Sequence, residues 1–177
     1  MKNFLLGIIL TIVLIALGIL VYFSAGLAPV ATAAAPMPFE KRLAKMALNA
    51  RIKKEMPTTV PFQPDEANLI EGAHLYTQHC AVCHGLPRQE QTATAKGMYP
   101  NPPKLFQKKG VTDDPPGETY WKAANGIRLT GMPAYKGSLS DKQLWQVTLL
   151  LVNSNKLSGV VKDALKPANL DNPLKTR

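Results

Sequence analysis

The first part of the chain is almost entirely hydrophobic. Residues Phe4 to Phe23 read FLLGIILTIVLIALGILVYF and contain no charged side chain. About 20 apolar residues, each rising 1.5 Å along a helix, match the ~30 Å hydrocarbon core of a bilayer. The pattern predicts a transmembrane anchor over residues 1–24. A signal peptide cleaved near Ala31 to Ala35 is the alternative, and in both cases the remainder of the chain is exported.

Residues 25–61 are predicted to form a linker. Its first part, up to Pro38, is rich in Ala and Pro and is predicted to be irregular. The pattern then changes to helical spacing over residues 39–55, with basic residues away from the apolar face. That apolar face holds Phe39, Leu43, Met46 and Ala50. We expect either a basic amphipathic helix lying on anionic lipid headgroups or a solvated spacer helix.

Residues 62–155 have the pattern of a small globular domain. Helical periodicity and capping residues predict a first helix from Asp65, a second over Gly117 to Asn125, and a third from Ser140 through Leu151. Loops rich in Pro and Gly separate them, and no strand pattern is present. A domain of about 90 residues with such loops needs more than helix packing for stability. The predicted fold is therefore all-α, with three to four helices around a large apolar cofactor.

The positive charge lies mainly outside this domain. The formal net charge is +9, yet residues 61–155 hold nine Lys or Arg and eight Asp or Glu. Residues 39–56 hold six basic and two acidic residues, and the basic C-terminal tail of residues 156–177 holds five and two. Because a nucleic-acid interface needs clustered charge on the folded domain, no nucleic-acid partner is expected.

The two cysteines of the chain stand three residues apart, in the sequence Cys80-Ala81-Val82-Cys83-His84. Thiols at this spacing can each add to one vinyl group of a porphyrin, and His84 can then reach the iron from the same side. Thioredoxin-like chemistry would need a βαβ context, and zinc would need further ligands. The motif predicts one covalently bound haem c, with His84 as an iron ligand.

A methionine thioether is the expected sixth ligand, because it is soft and raises the redox potential. Met132 lies in the sequence Thr130-Gly131-Met132-Pro133, where Gly permits close backbone approach to the ring and Pro restrains the direction of the chain. Met98 is the alternative, but it follows His84 closely and leaves a tight path around the porphyrin edge. We therefore predict that Met132 is the ligand.

The domain resembles the small class I mono-haem c-type cytochromes, in particular the cytochrome c domains of respiratory oxidase and dehydrogenase subunits. The resemblance covers roughly residues 62 to 153, whereas the anchor, linker and tail lie outside it. The residues that carry it are Gly72, Tyr76, Cys80 to Gly85, Pro102 to Leu105, Tyr120, Trp121, Asn125 to Ala134, Asp141, Leu144 and Trp145.

The resemblance also implies roles for individual residues. A carbonyl of the Pro102–Pro103 loop would accept a hydrogen bond from the His84 ring. Gly72 would let the first helix cross the last one near Trp145. Arg128 would pair with a haem propionate, since a guanidinium meets a carboxylate in bidentate geometry. The stretch after the motif, LPRQEQTATAKGMYP, departs from the Gly-rich sequence of many relatives.

The expected function is electron transfer without a small-molecule substrate, so the chain is expected not to be an enzyme. Expected partners are an oxidase, a dehydrogenase or a quinol-oxidising complex of a respiratory chain, beside the membrane itself. A haem-based sensor or peroxidase with a labile sixth ligand is one alternative, and a fixed subunit of a membrane oxidoreductase complex is another.

The expected location is the inner membrane, with a single span and the haem domain in the periplasm. The basic residues Lys41, Arg42 and Lys45 follow the span and would by themselves favour the opposite orientation. Covalent haem attachment takes place on the exported side, and the prediction gives that process the greater weight.

Overall fold

The regular elements of the chain are helices throughout residues 1–107 and 110–166, which the computed structural model describes. No strand occurs within these ranges, so the predicted all-α class is confirmed. The chain divides into two units, Met1–Ala44 and a second that begins at Lys45. The helices are α1 (Lys2–Ser24), α2 (Glu40–Glu55), α3 (Glu66–His79), α4 (Ala81–His84), α5 (Ala93–Lys96), α6 (Pro116–Asn125), α7 (Asp141–Val152) and α8 (Gly159–Ala164).

Helix α1 has the features of a membrane span. It has 23 residues, its apolar side chains are exposed all around it, and none of its residues is buried. Its one threonine, Thr11, donates its hydroxyl to the carbonyl of Gly7 at 2.9 Å, which satisfies that polar group within the helix. Among the described residues, α1 is the helix whose length and composition suit a bilayer crossing.

The end of the predicted linker packs within the second unit. Ile52 on α2 is only 3% exposed, and Glu55 accepts a hydrogen bond from the indole Nε1 of Trp121 on α6 at 3.2 Å. The carbonyl of Pro57 lies against Gly117, where a Cβ would come within 1.9 Å of it. Residues 52–57 therefore pack against the predicted domain, although the sequence-based boundary places them in the linker.

Helices α3 and α7 form the centre of this unit and begin with side-chain caps. Asp65 accepts a hydrogen bond from the backbone of Asn68 at 2.8 Å, which caps α3. Ser140 and Gln143 form a reciprocal capping box at the start of α7. These caps stand at the start positions that the sequence predicts for the first and third helices.

Helices α3 and α7 cross in direct backbone contact at Gly72. A Cβ at this position would lie 2.3 Å from the carbonyl oxygen of Gln146 and 3.2 Å from the Cβ of Leu150. Beside the crossing, apolar side chains of both helices belong to the hydrophobic core. Tyr76 and Leu150 are two of them, and both are fully buried. Only glycine permits this approach, as the resemblance implies.

The hydrophobic core continues beyond the predicted domain end at residue 155. Leu157, Val161 and Leu165 are buried and belong to the same cluster as the α3 and α7 side chains. Helix α8 carries Val161 and packs against α3, and Ser158 caps it. The start of the predicted tail is thus part of the fold, and residues 167–177 lie outside the described part of the chain.

Replacing Gly72 by alanine should destabilise the domain strongly. The new methyl group would overlap the Gln146 carbonyl, and overpacking of this kind costs about 1–3 kcal/mol. Urea unfolding followed by circular dichroism measures the change. Gly159→Ala is the matched control, because a Cβ there meets nothing within 4 Å. Equal stability of Gly72→Ala and Gly159→Ala would contradict the close crossing.

The surroundings of Tyr120 should make the stability of the fold depend on pH in the alkaline range. Its ring stacks on Trp145 with centroids 4.4 Å apart, and its hydroxyl donates to the Asp141 carboxylate. Burial, and then the hydrogen bond and charge of Asp141, raise the pKa of Tyr120 to about 12. A group whose pKa is raised by folding stabilises the fold below its unfolded pKa and loses that contribution as the pH rises through the folded pKa.

We therefore expect the stability advantage of the wild type over Tyr120→Phe to be constant up to about pH 10 and to shrink between about pH 10 and 12. Urea unfolding at a series of pH values measures this difference, in which the other tyrosines cancel. A difference that stays constant across this range would show that Tyr120 does not bind its proton more tightly in the folded state.

Candidate functional site

Three segments of the second unit line one mainly apolar cleft. They lie between residues 79 and 84, between 98 and 103, and between 127 and 135. The cleft is open to solvent, and the empty space in and at its mouth amounts to about 600 Å³. Cys80, Cys83, His84, Pro103 and Met132, all predicted from the sequence, are among its lining residues. The folded chain thus brings these five residues together.

The Cys80–His84 motif forms a single helical turn directly after α3. The amide of Cys80 donates to the Tyr76 carbonyl at 2.9 Å, and the amide of His84 donates to the Cys80 carbonyl at 2.9 Å. Gly85 ends the turn with a positive φ of 75°. Because the thiols and the imidazole sit on one turn that continues from a packed helix, their spacing is rigid.

Three side-chain hydroxyls hold backbone carbonyls around this turn. Tyr135 donates to the carbonyl of His79, and Tyr76 donates to the carbonyl of Gly85, each at 2.7 Å. Thr92 donates to the carbonyl of Val82, also at 2.7 Å. The turn is therefore restrained before, within and after the motif.

The His84 ring is oriented by a backbone carbonyl. Its Nδ1 lies 2.8 Å from the carbonyl oxygen of Pro103. A carbonyl only accepts hydrogen bonds, so Nδ1 carries the proton and Nε2 keeps its lone pair. This is the arrangement that a metal-ligating histidine needs.

Burial shifts the pKa of His84 and the pKa of Cys80 toward the uncharged forms. Desolvation lowers the pKa of His84, and the hydrogen bond to Pro103 opposes this effect only in part. Burial, followed by the neighbouring Cys83 thiol, raises the pKa of Cys80 to about 12. A neutral imidazole with a free Nε2 is therefore the form present at neutral pH.

The loop that carries Met132 is held by its own backbone and one hydroxyl. The amide of Ile127 donates to the Met132 carbonyl at 3.2 Å, and the Met132 amide donates to Thr130 Oγ1 at 3.1 Å. Gly126 has a φ of 65°, and a Cβ there would lie 2.7 Å from the Ala134 amide nitrogen. Both backbone polar groups of Met132 are thus fixed while its side chain lines the cleft.

Sequence reasoning predicts the places of three further residues to different degrees. These residues are Arg128, Met98 and Tyr135. Arg128 is exposed and does not line the cleft, so its pairing with a propionate stays a prediction. Met98 does line the cleft, together with Met132. Tyr135 and its bond to His79 are missed by sequence reasoning, and its place directly after the Met132 loop is the one available signal.

The residues present fit a haem group of the c type. The cleft combines two thiols, an imidazole with a free ring nitrogen, and a thioether with an apolar lining. A flat apolar macrocycle with a central iron needs this set of donors and this kind of surface. Cys80 and Cys83 would bind the porphyrin vinyl groups through thioether bonds, and His84 would ligate the iron.

Comparison with protein families identifies the same part of the chain. Residues 67–150 match the family described as "Cytochrome C oxidase, cbb3-type, subunit III". The match covers just under half of the chain and includes the motif turn and the Met132 loop. Residues 67–150 therefore match a c-type cytochrome domain, a kind of domain that binds haem and transfers electrons.

One solved structure is similar to the chain, from the Kuenenia stuttgartiensis reducing HAO-like protein complex Kustc0457/Kustc0458. The identity is 21%, the similar region covers 56% of this chain and 49% of that chain, and the TM-score is 0.48. The chain thus spans about half the length of that neighbour. Comparison with curated proteins gives no match.

Removing the Tyr76 hydroxyl should destabilise the site. Tyr76 is fully buried, so Tyr76→Phe leaves the Gly85 carbonyl without its donor. A buried polar group left unpaired costs about 1–3 kcal/mol. Urea unfolding of the haem-loaded protein measures the loss, and the half-buried Tyr135→Phe serves as comparison with a smaller expected effect. Wild-type stability of Tyr76→Phe would contradict a structural role for this bond.

Proposed function

We propose that the c-type cytochrome domain of this chain is a membrane-anchored electron carrier with one covalent haem c. In this proposal Cys80 and Cys83 hold the haem, and His84 and Met132 ligate its iron. The observation that carries the proposal is that these four residues line one apolar cleft. Haem bound there supplies one-electron redox chemistry.

The protein's own contribution is to keep both ligands in place. Pro103 orients the His84 ring and keeps the proton on Nδ1. Thr130 and Ile127 hold the backbone of Met132, and the hydroxyls of Tyr76 and Tyr135 hold the ends of the motif turn. Ligands restrained by surrounding hydrogen bonds move little when the charge of the iron changes, which favours fast electron exchange.

Two ligands on the iron leave no position for a substrate, and this supports a carrier over a sensor or a peroxidase. Met132 is a neutral, soft ligand and raises the redox potential relative to a second histidine. Arg128 stands in the same loop as Met132, close in sequence to the lining residue Ile127. We include in the proposal that Arg128 pairs with a haem propionate.

The proposed location is the inner membrane, with the domain on the periplasmic side. Helix α1 is long and apolar enough to anchor the chain. The sidedness follows from covalent haem attachment, which is a process of the exported side. Anchoring confines the carrier to the membrane surface and raises its effective concentration beside membrane-bound partners, namely an oxidase, a dehydrogenase or a quinol-oxidising complex.

A fixed subunit of an oxidoreductase complex is the second candidate. It is favoured by the family that residues 67–150 match, because the description of that family names an oxidase subunit. A free carrier would leave the membrane in mild detergent as a single polypeptide. A fixed subunit would co-purify with a larger catalytic chain in constant proportion.

The visible spectrum of the full chain, produced with haem c attached, tests the ligands. We expect low-spin c-type bands, a sulfur-to-iron band in the oxidised form, and no response of the reduced form to carbon monoxide. Met132→Ala should remove the sulfur-to-iron band and open the iron to carbon monoxide. Met46→Ala is the matched control, because Met46 is exposed outside the cleft.

High-spin bands and ready carbon monoxide binding in the wild type would contradict the carrier and favour the sensor or peroxidase. Absence of covalent haem in the wild type, together with no change in Cys80→Ala, would contradict attachment through the motif.

A further inference from the structure

Met98 fills the space that a side chain at residue 131 would occupy. A Cβ at Gly131 would lie 2.3 Å from the terminal methyl carbon of Met98 and 3.4 Å from its sulfur. Both residues line the same cleft as His84 and Met132. Gly131 directly precedes Met132, so the tip of Met98 lies against the backbone that carries the proposed ligand.

The backbone of Met98 is connected to the motif turn. Thr92 donates its hydroxyl to the Val82 carbonyl at 2.7 Å and accepts from the Ala95 amide at 3.1 Å. The amide of Met98 then donates to the Ala95 carbonyl at 3.3 Å. Ala95 is fully buried, so this short helical segment is held firmly.

A continuous series of contacts therefore leads from the motif turn to the Met132 loop. It begins at Val82 between the two cysteines, passes through Thr92 and Ala95, and ends where the Met98 methyl touches Gly131. The described hydrogen bonds within residues 127–132 are internal to the Met132 loop, and directly after the loop Tyr135 bonds to α6 and to the His79 carbonyl. Met98 adds a steric contact to the loop, and it comes from the segment that follows the motif turn.

We propose that Met98 is a positioning residue that sets the distance between the Met132 loop and the His84 side of the cleft. Its methyl group limits how closely residue 131 approaches, and thereby sets how well the Met132 sulfur reaches the iron. This inference rests on the proposed His84 and Met132 ligation. It assigns to Met98 a steric role, in which the sulfur of Met98 does not bind the iron.

The experiment uses the full haem-loaded chain with Met98→Ala, Met98→Leu, Gly131→Ala and the double variant Met98→Ala/Gly131→Ala. The readouts are the sulfur-to-iron band of the oxidised form and the rate of carbon monoxide binding to the reduced form. Thermal unfolding is measured separately, so that loss of stability is distinguished from loss of ligation. Met46→Ala again serves as the control.

Met98→Ala should weaken the sulfur-to-iron band and speed carbon monoxide binding by about tenfold, since contacting residues couple with effects of this size. Met98→Leu should restore most of the band, because leucine fills similar space but cannot ligate iron. Gly131→Ala should weaken the band less than Met98→Ala does, because the new methyl group also displaces the flexible tip of Met98. The double variant should recover it, because the new methyl group enters the space that Met98 leaves.

Three outcomes would overturn the inference. Wild-type spectra and carbon monoxide rates in Met98→Ala would show that the contact does not position the loop. A double variant no better than Gly131→Ala would show that the two residues do not compete for space. The third outcome combines three variants. If the band is lost in both Met98→Ala and Met98→Leu but survives in Met132→Ala, Met98 and not Met132 ligates the iron.

Met132→Ala distinguishes a failure of the proposed ligation from a failure of the positioning role. If it removes the band while Met98→Ala leaves it intact, only the positioning role fails and the proposed ligation stands. If the band survives in Met132→Ala, the proposed ligation fails first, and the positioning role fails with it.

Discussion

The close crossing of α3 and α7 at Gly72 is the constraint on which the rest of the structure depends. The backbone of α3 meets the Gln146 carbonyl there, with no space for a side chain. Because the motif turn continues directly from the end of α3, the crossing determines where Cys80 and His84 enter the cleft. Tyr76 lies four residues beyond Gly72 on the same helix and carries the restraint onward to Gly85. Helix packing and the cofactor site are therefore coupled through α3.

Much of this arrangement could be predicted from the sequence because it is determined locally. Apolar spacing and the caps at Asp65 and Ser140 marked two of the main helices, and a long uncharged run marked α1. The cysteine spacing indicated a haem, and the family match of residues 67–150 confirms a c-type cytochrome domain. The bond between His84 and the Pro103 carbonyl was implied by resemblance rather than by local pattern, since it joins residues from two separate segments.

What could not be predicted depends on contacts between segments distant in sequence. The hydroxyl of Tyr135 reaches the carbonyl of His79 across 56 positions of the chain, and no local pattern signals such a bond. The sequence indicates Met98 only as a possible ligand, because its steric contact with Gly131 exists only in the folded chain. The contribution of α8 was missed for another reason. Val161 in this helix and Leu157 and Leu165 beside it are buried core residues, but they lie in a short basic stretch whose charge masks their apolar spacing.

The packing of residues 52–57 changes how the anchor relates to the proposed function. A tether of residues 25–61 would give the proposed haem domain a long reach from its anchor. Since Ile52 is buried and Pro57 rests against Gly117, the segment available as a tether ends earlier in the chain. Effective concentration is highest when the length of a tether matches the distance to the partner, and it falls as the tether lengthens. A shorter tether therefore limits how far the proposed haem site reaches from its anchor, and this limit applies to the free carrier and to the fixed subunit alike.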